Sequence, residues 1–110
     1  MDVALRSENA LVLAKIAENG DDLTRSRPVD FTAVFRDQSS AQAFAVRVKL
    51  LGYSVEIEKT DASADRPWDV LATRVMAPTA DAVTEAEFTL GAIATEFTGA
   101  MDGWGFSAPD

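Results

Sequence analysis

Apolar and polar residues alternate over 29–36. Val29, Phe31, Ala33 and Phe35 fall on one side, and Asp30, Thr32, Val34 and Arg36 on the other. A two-residue period rich in β-branched and aromatic side chains predicts a strand with one buried face. The alternation returns at 53–58, where Tyr53, Val55 and Ile57 oppose Ser54, Glu56 and Glu58. Residues 68–76, WDVLATRVM, predict a third strand with ambiguous facing. Trp68, Val70, Ala72 and Met76 share parity with Arg74, while Leu71 and Val75 take the other side. A bulge or burial on both faces accounts for such a pattern. A short final strand is predicted over 101–107, with Trp104 and Phe106 on one face.

Between these segments the period changes to that of a helix. Leu5, Val12 and Ile16 recur at near-helical spacing and predict a leader helix over 3–18, stopped by Gly20. The polar stretch GDDLTRSRP, ending at Pro28, reads as a loop. After Asp37, Ser39 and Ser40, three candidate N-caps, Ala41, Phe44, Val48 and Leu51 share a face up to Gly52. KTDASADRP is a second loop. Pro78-Thr79 opens the last helix, whose core stripe is Val83, Ala86, Leu90, Ile93 and Phe97, with Gly99 as its stop. Asp81 is well placed near its positive N-terminus.

The order is a helix followed by β-α-β-β-α-β. Two split βαβ halves predict an α+β, ferredoxin-like sandwich, in which two helices cover one face of a four-stranded antiparallel sheet. The expectation is a single domain over 1–110, with a leader helix over about 3–18 and a ferredoxin-like core over about 28–108.

Composition narrows what such a domain does. The formal charge is −8, and the chain has no His and no Cys. An acidic surface repels phosphate backbones, so direct nucleic-acid binding through charge is not expected, while a basic protein partner is. No triad, Cys nucleophile or thiolate metal site can be assembled, and no catalytic residue, cofactor or metal is assigned. The start, MDVALRSEN, has no basic region followed by an apolar run, and no apolar run approaches the ~20 residues of a membrane span. No signal peptide and no membrane contact are expected, and the default location is cytoplasmic.

Carboxylate pairs occur at Asp21-Asp22, Glu56 with Glu58 and Glu85 with Glu87; on a strand whose other face is apolar, Glu56 and Glu58 read as a solvated face. Glu56 and Glu58 share the polar side of one strand and are candidate partner-facing residues. Asp61, Asp65 and Asp69 lack the glycine and terminal glutamate of a calcium loop and read as polar surface. The predicted open sheet face offers no aromatic platform of the kind that stacks RNA bases, with only the facing of Trp68 unsettled.

Two features remain. Val46 and Leu50 on the middle helix, and Phe88 and Ala92 on the last, point away from the sheet. Either the leader helix covers them, or a homodimer or partner helix does; Phe88 is the candidate contact. The other is DGWGFSA at 102–108, which sets one of two tryptophans between glycines. Trp104 either closes the end of the core or anchors a partner, while Gly103 and Gly105 let the backbone bend or let a neighbouring side chain lie flat.

Residues IAENGDDLTRSRPVDF (16–31), VKLLGYSVE (48–56) and MDGWGFSA (101–108) carry a collinear likeness over nearly the whole chain. With Asp102, Gly103, Trp104 and Gly105 as its most specific positions, the sequence resembles the ribonuclease E inhibitor family, regulator of ribonuclease E activity B. The resemblance implies a small cytoplasmic bacterial protein with a ferredoxin-like fold and no catalysis. It also implies binding to the basic scaffold region of ribonuclease E, which lowers RNA cleavage. WDVLATRVMAP departs from the family's pattern, and no long acidic tail of the kind better-known members carry is expected after Asp110. The competing expectations are a structural or oligomerising ferredoxin-like domain with no ribonuclease connection, and a small-molecule site on the open sheet face.

Overall fold

The alternating segment at 29–36 becomes the centre of a sheet. The computed structural model describes residues 3–18, 26–60 and 65–106, with side chains described over 7–15, 26–60 and 65–105. The elements run α1 (Val3–Glu18), β1 (Arg27–Phe35), α2 (Gln38–Lys49), β2 (Ser54–Lys59), β3 (Trp68–Met76), α3 (Ala80–Glu96) and β4 (Ala100–Phe106). The strand order is β2-β3-β1-β4, and every neighbouring pair is antiparallel. The units β1-α2-β2 and β3-α3-β4 therefore interlock as two split βαβ halves, the ferredoxin-like arrangement.

The core lies between the sheet and the two crossover helices. Val29, Phe31, Ala33 and Phe35 of β1 are buried, as are Phe44 and Val48 of α2 and Val83 and Leu90 of α3. The rings of Phe35 and Phe44 lie 4.9 Å apart, and Phe31 meets Tyr53 edge-on at 6.3 Å. Each such side chain contributes about 1.5–3 kcal/mol by leaving water. Both crossover helices are capped by side chains: Asp37 accepts from the Ser40 N–H at 2.8 Å and Thr79 from the Ala82 N–H at 3.2 Å. An N-cap is worth about 1 kcal/mol.

The ambiguous strand has a simple facing. β3 pairs with β1 and β2 without a register shift. Val70 and Ala72 enter the core and Trp68 packs against it. Arg74, which shares their parity, lies at the sheet end with its guanidinium 5.6 Å from the Tyr53 ring centre. The pleat therefore sends Leu71 and Val75 to the open face.

The bulge is in β4 instead. Ala33 pairs with Met101 and Thr32 with Gly103, so Asp102 is an extra residue. Gly103 has φ +127, a conformation that L side chains rarely adopt. This insertion brings Met101 and Trp104, three residues apart, opposite the core-facing Ala33 and Phe31. Both pack against the core cluster. Gly99, before the strand, has another reason to be glycine: a Cβ there would enter the Phe35 ring and approach the Val34 carbonyl at 2.7 Å.

Three apolar expectations need correction. Leu51 is exposed rather than part of the α2 stripe, because the helix ends at Lys49 and the chain turns to β2. Val12 of α1 is 50% exposed; the residues that α1 buries are Asn9 and Leu13. The leader helix also leaves the outer surfaces of α2 and α3 uncovered. Val46, Leu50 and Phe88 remain 61, 81 and 55% exposed, although α1 packs against α3 and bonds to its Thr84 and Glu87. The side chains of Leu5, Ile16 and Phe106 lie outside the described residues, as do Gly20, Asp21, Asp22 and Asp61. Among the described residues no helix is long and apolar enough to cross a membrane.

Candidate functional site

With both crossover helices on one side of the sheet, the other side is an open face. Its residues form cross-strand rows, because antiparallel partners point the same way. One row is Glu58, Asp69, Val34 and Ala100; the next is Glu56, Leu71, Thr32 and Gly103; the third is Ser54, Thr73, Asp30 and Gly105. Carboxylates thus come from three strands, while β4 adds almost no side-chain bulk.

A shallow depression of about 520 Å³ opens on this face, lined by Thr32, Glu56, Ile57, Glu58, Asp69 and Leu71. The Thr73 hydroxyl donates to Asp30 at 2.7 Å, which fixes that carboxylate across the strands. Asp69 carries the clearest electrostatic mark. Partial burial raises its carboxyl above the ordinary value, and the negative charges of Asp102 and Glu58 raise it further. Like charges that repel one another gain from any cation placed among them.

Glu56 and Glu58 lie exposed on this face, and Glu58 shares a row with Asp69. Phe88 is exposed too, but on α3 in the helical layer, so it does not join the two glutamates on one surface. Sequence spacing grouped Asp69 with Asp61 and Asp65. Its membership of the open face follows only from the facing of β3, which Arg74 and Val75 obscured.

The four motif positions separate into different roles. Asp102 is the exposed bulge residue, and Gly103 supplies the positive φ. Trp104 is half-buried against the core, and its Nε1–H donates to Asn9 Oδ1 at 3.0 Å. Gly105 pairs with Asp30, and a Cβ there would meet open space, so nothing packed on it demands glycine.

Asn9 completes a polar cluster that hydropathy does not reveal. Its Nδ2 donates to Thr84 Oγ1 and to Glu87 Oε1, both at 3.0 Å. Thr84 is fully buried. Partial burial raises the Glu87 carboxyl, and the nearby Glu8 charge adds to this, while the Asn9 bond acts in the opposite sense. A buried Asn is tolerable only where its amide is satisfied, and a single sequence gives no signal of that pairing.

Trp68 packs toward the core side, with the Lys59 ammonium 5.8 Å from its ring centre. Among the described residues, the open face therefore presents no aromatic side chain for base stacking. Nor do three or more metal-ligating side chains converge among them. The surface offers carboxylates around Leu71 and Thr32, an arrangement that suits contact with cationic groups.

No curated protein matches the chain. The model of a family of regulators matches residues 6–106, nearly the whole length and including the bulged Asp-Gly-Trp-Gly strand. The chain belongs to the family Regulator of ribonuclease activity B.

Proposed function

We propose that this protein is a noncatalytic regulator that binds a basic segment in the scaffold region of ribonuclease E and so lowers RNA cleavage. Membership of a family of ribonuclease regulators supplies the class of partner. The observation that carries the mode of binding is the open sheet face, where Asp30, Glu56, Glu58 and Asp69 surround Leu71 and Thr32. Lys and Arg side chains would lay their aliphatic stems on the apolar residues and their charges among the carboxylates. The formal charge of −8 speeds the encounter with a basic chain. The absence of His and Cys supports a role without catalysis.

Calorimetric titration with the ribonuclease E scaffold region of the same organism, at low and at moderate salt, tests this reading. The expected result is micromolar or tighter binding that weakens with salt, because exposed charges are screened over about 8–10 Å. Glu56→Gln with Glu58→Gln should weaken binding and flatten its salt dependence. Absence of binding at both salt concentrations would overturn the partner. Binding that is indifferent to salt and to both substitutions would overturn the sheet face as the contact.

The exposed Val46, Leu50 and Phe88 favour a second reading, an oligomerising domain. Light scattering over a range of concentrations separates the two, since a monomer throughout excludes it.

A further inference from the structure

We infer that α1 is a releasable strap, which opens from the sheet-and-helix body as one unit and is held shut by the Asn9 amide. Among the described residues, the contiguous buried cluster draws on the strands, α2, α3 and Tyr53, and no residue of 7–15 belongs to it. Of the described α1 side chains, 7–15, only Asn9 and Leu13 are buried, and Leu11 and Val12 point to solvent. α1 packs against α3, and Asn9 reaches β4 through Trp104. Over 7–15 Leu13 is the one buried apolar side chain, and a segment that buries so little opens at lower cost than the whole domain.

Asn9 has the geometry of a latch. One amide binds three groups from two elements: Thr84 and Glu87 on α3 and Trp104 on β4. A planar amide meets all three only in one docked position, so the bonds are lost together when the helix leaves. Thr84, Glu87 and Trp104 then turn to water, and the opened body is not left with these groups buried and unpaired. Release also changes the surface. Phe88 follows Thr84 by one helical turn on the same side of α3, so opening α1 uncovers the Thr84 and Trp104 side beside an aromatic that is already exposed.

Native-state hydrogen exchange on the full chain tests the strap. The amides of 7–15 should share one level of protection and exchange at least tenfold faster than those of β1. Asn9→Ala should speed α1 exchange by a further tenfold while β1 stays as in the parent. In a Trp68→Phe background it should also shift the Trp104 emission to the red. Thr84→Val, which removes one partner and keeps the shape, should speed α1 by less and again leave β1 alone. Equal protection of α1 and β1 in the parent would overturn the strap. Asn9→Ala speeding both elements alike, or leaving α1 unchanged, would overturn the latch.

Discussion

The Trp104 indole N–H donates to the Asn9 side chain at 3.0 Å while its ring packs against the core cluster. The residue thus has a packing role and a bonding role, and two substitutions separate them. Trp104→Phe keeps most of the ring contact and loses the bond, at about 1 kcal/mol. Trp104→Ala loses both. A fully buried Trp costs about 3–5 kcal/mol, and about 2–3 kcal/mol is expected for this half-buried one. Urea denaturation of both variants checks the order. Equal stability of the parent and Trp104→Ala would show that the side chain serves recognition alone.

The glycines around Trp104 should behave differently from each other. Gly103 has open space where a Cβ would go, but its φ of +127 is held by the bulge. Gly103→Ala should therefore cost about 1–3 kcal/mol through the backbone alone. Gly105 has the same open space and no positive φ. Gly105→Ala should be neutral or stabilising by about 0.4–1 kcal/mol, because it reduces the freedom of the unfolded chain. Thermal melts of the pair test this, and a larger loss at Gly105 would contradict the bulge assignment.

Much of this architecture was legible in residue order. Periods of two and of helical spacing placed every element, and the strand at 68–76 has the bounds that its pattern predicts. Several of the failures share one physical cause, side chains that break their element's parity or hydropathy for a tertiary reason. Arg74 sits on the core side of β3 because it lies at the sheet end over Tyr53. Asn9 and Thr84 are buried because they satisfy one another. A bulge is one of two explanations for the pattern at 68–76; the bulge lies in β4 instead, where Met101 and Trp104, three apart around Gly103, were its only trace. For the candidate site, Glu56, Glu58 and Asp30 could be placed on one face from alternation. Their row partner Asp69 could not be placed before the facing of β3 was known.

The exit from α3 stores strain in an ordinary residue. Thr98 adopts φ +59, a left-handed conformation unfavourable for a β-branched side chain, and it is exposed. That conformation costs an L residue roughly 1–2 kcal/mol. Thr98→Gly or Thr98→Asn should raise stability by about 0.5–1 kcal/mol, since both enter this region more easily. A higher melting temperature in either variant is the expected result, and a drop in both would show that the Thr98 hydroxyl matters more than the backbone.

Glu87 gives stability a pH dependence of definite sign. Its folded carboxyl is raised above the ordinary 4.5, first by burial and then by Glu8, against the Asn9 bond. The folded state therefore binds this proton more readily than the unfolded state. The ionised group carries its full penalty at neutral pH and loses it as pH falls through the folded value toward 4.5. Glu87→Gln keeps an acceptor for Asn9 and removes the charge. It should stabilise the protein at pH ~7, with the advantage over the parent shrinking as Glu87 itself becomes protonated. Denaturation curves of both proteins across this range give the difference directly, and an advantage that grows toward acid would reverse the assignment.

Asp69 should report whether a basic partner reaches the open face. Its carboxyl is raised above 3.8 by partial burial and by the charges of Asp102 and Glu58. A Lys or Arg seated among these groups favours the ionised form and lowers that value. At a pH between the free and bound values, binding must then release protons, and affinity must fall as the solution is acidified through this window. At a pH above that window Asp69 is ionised in both states and releases nothing. Calorimetry in buffers of different ionisation enthalpy measures the release, and Asp69→Asn should remove its share while binding at neutral pH weakens. Proton release of the same size in Asp69→Asn would place the partner away from the Glu58–Asp69 row, even if it still binds the acidic protein.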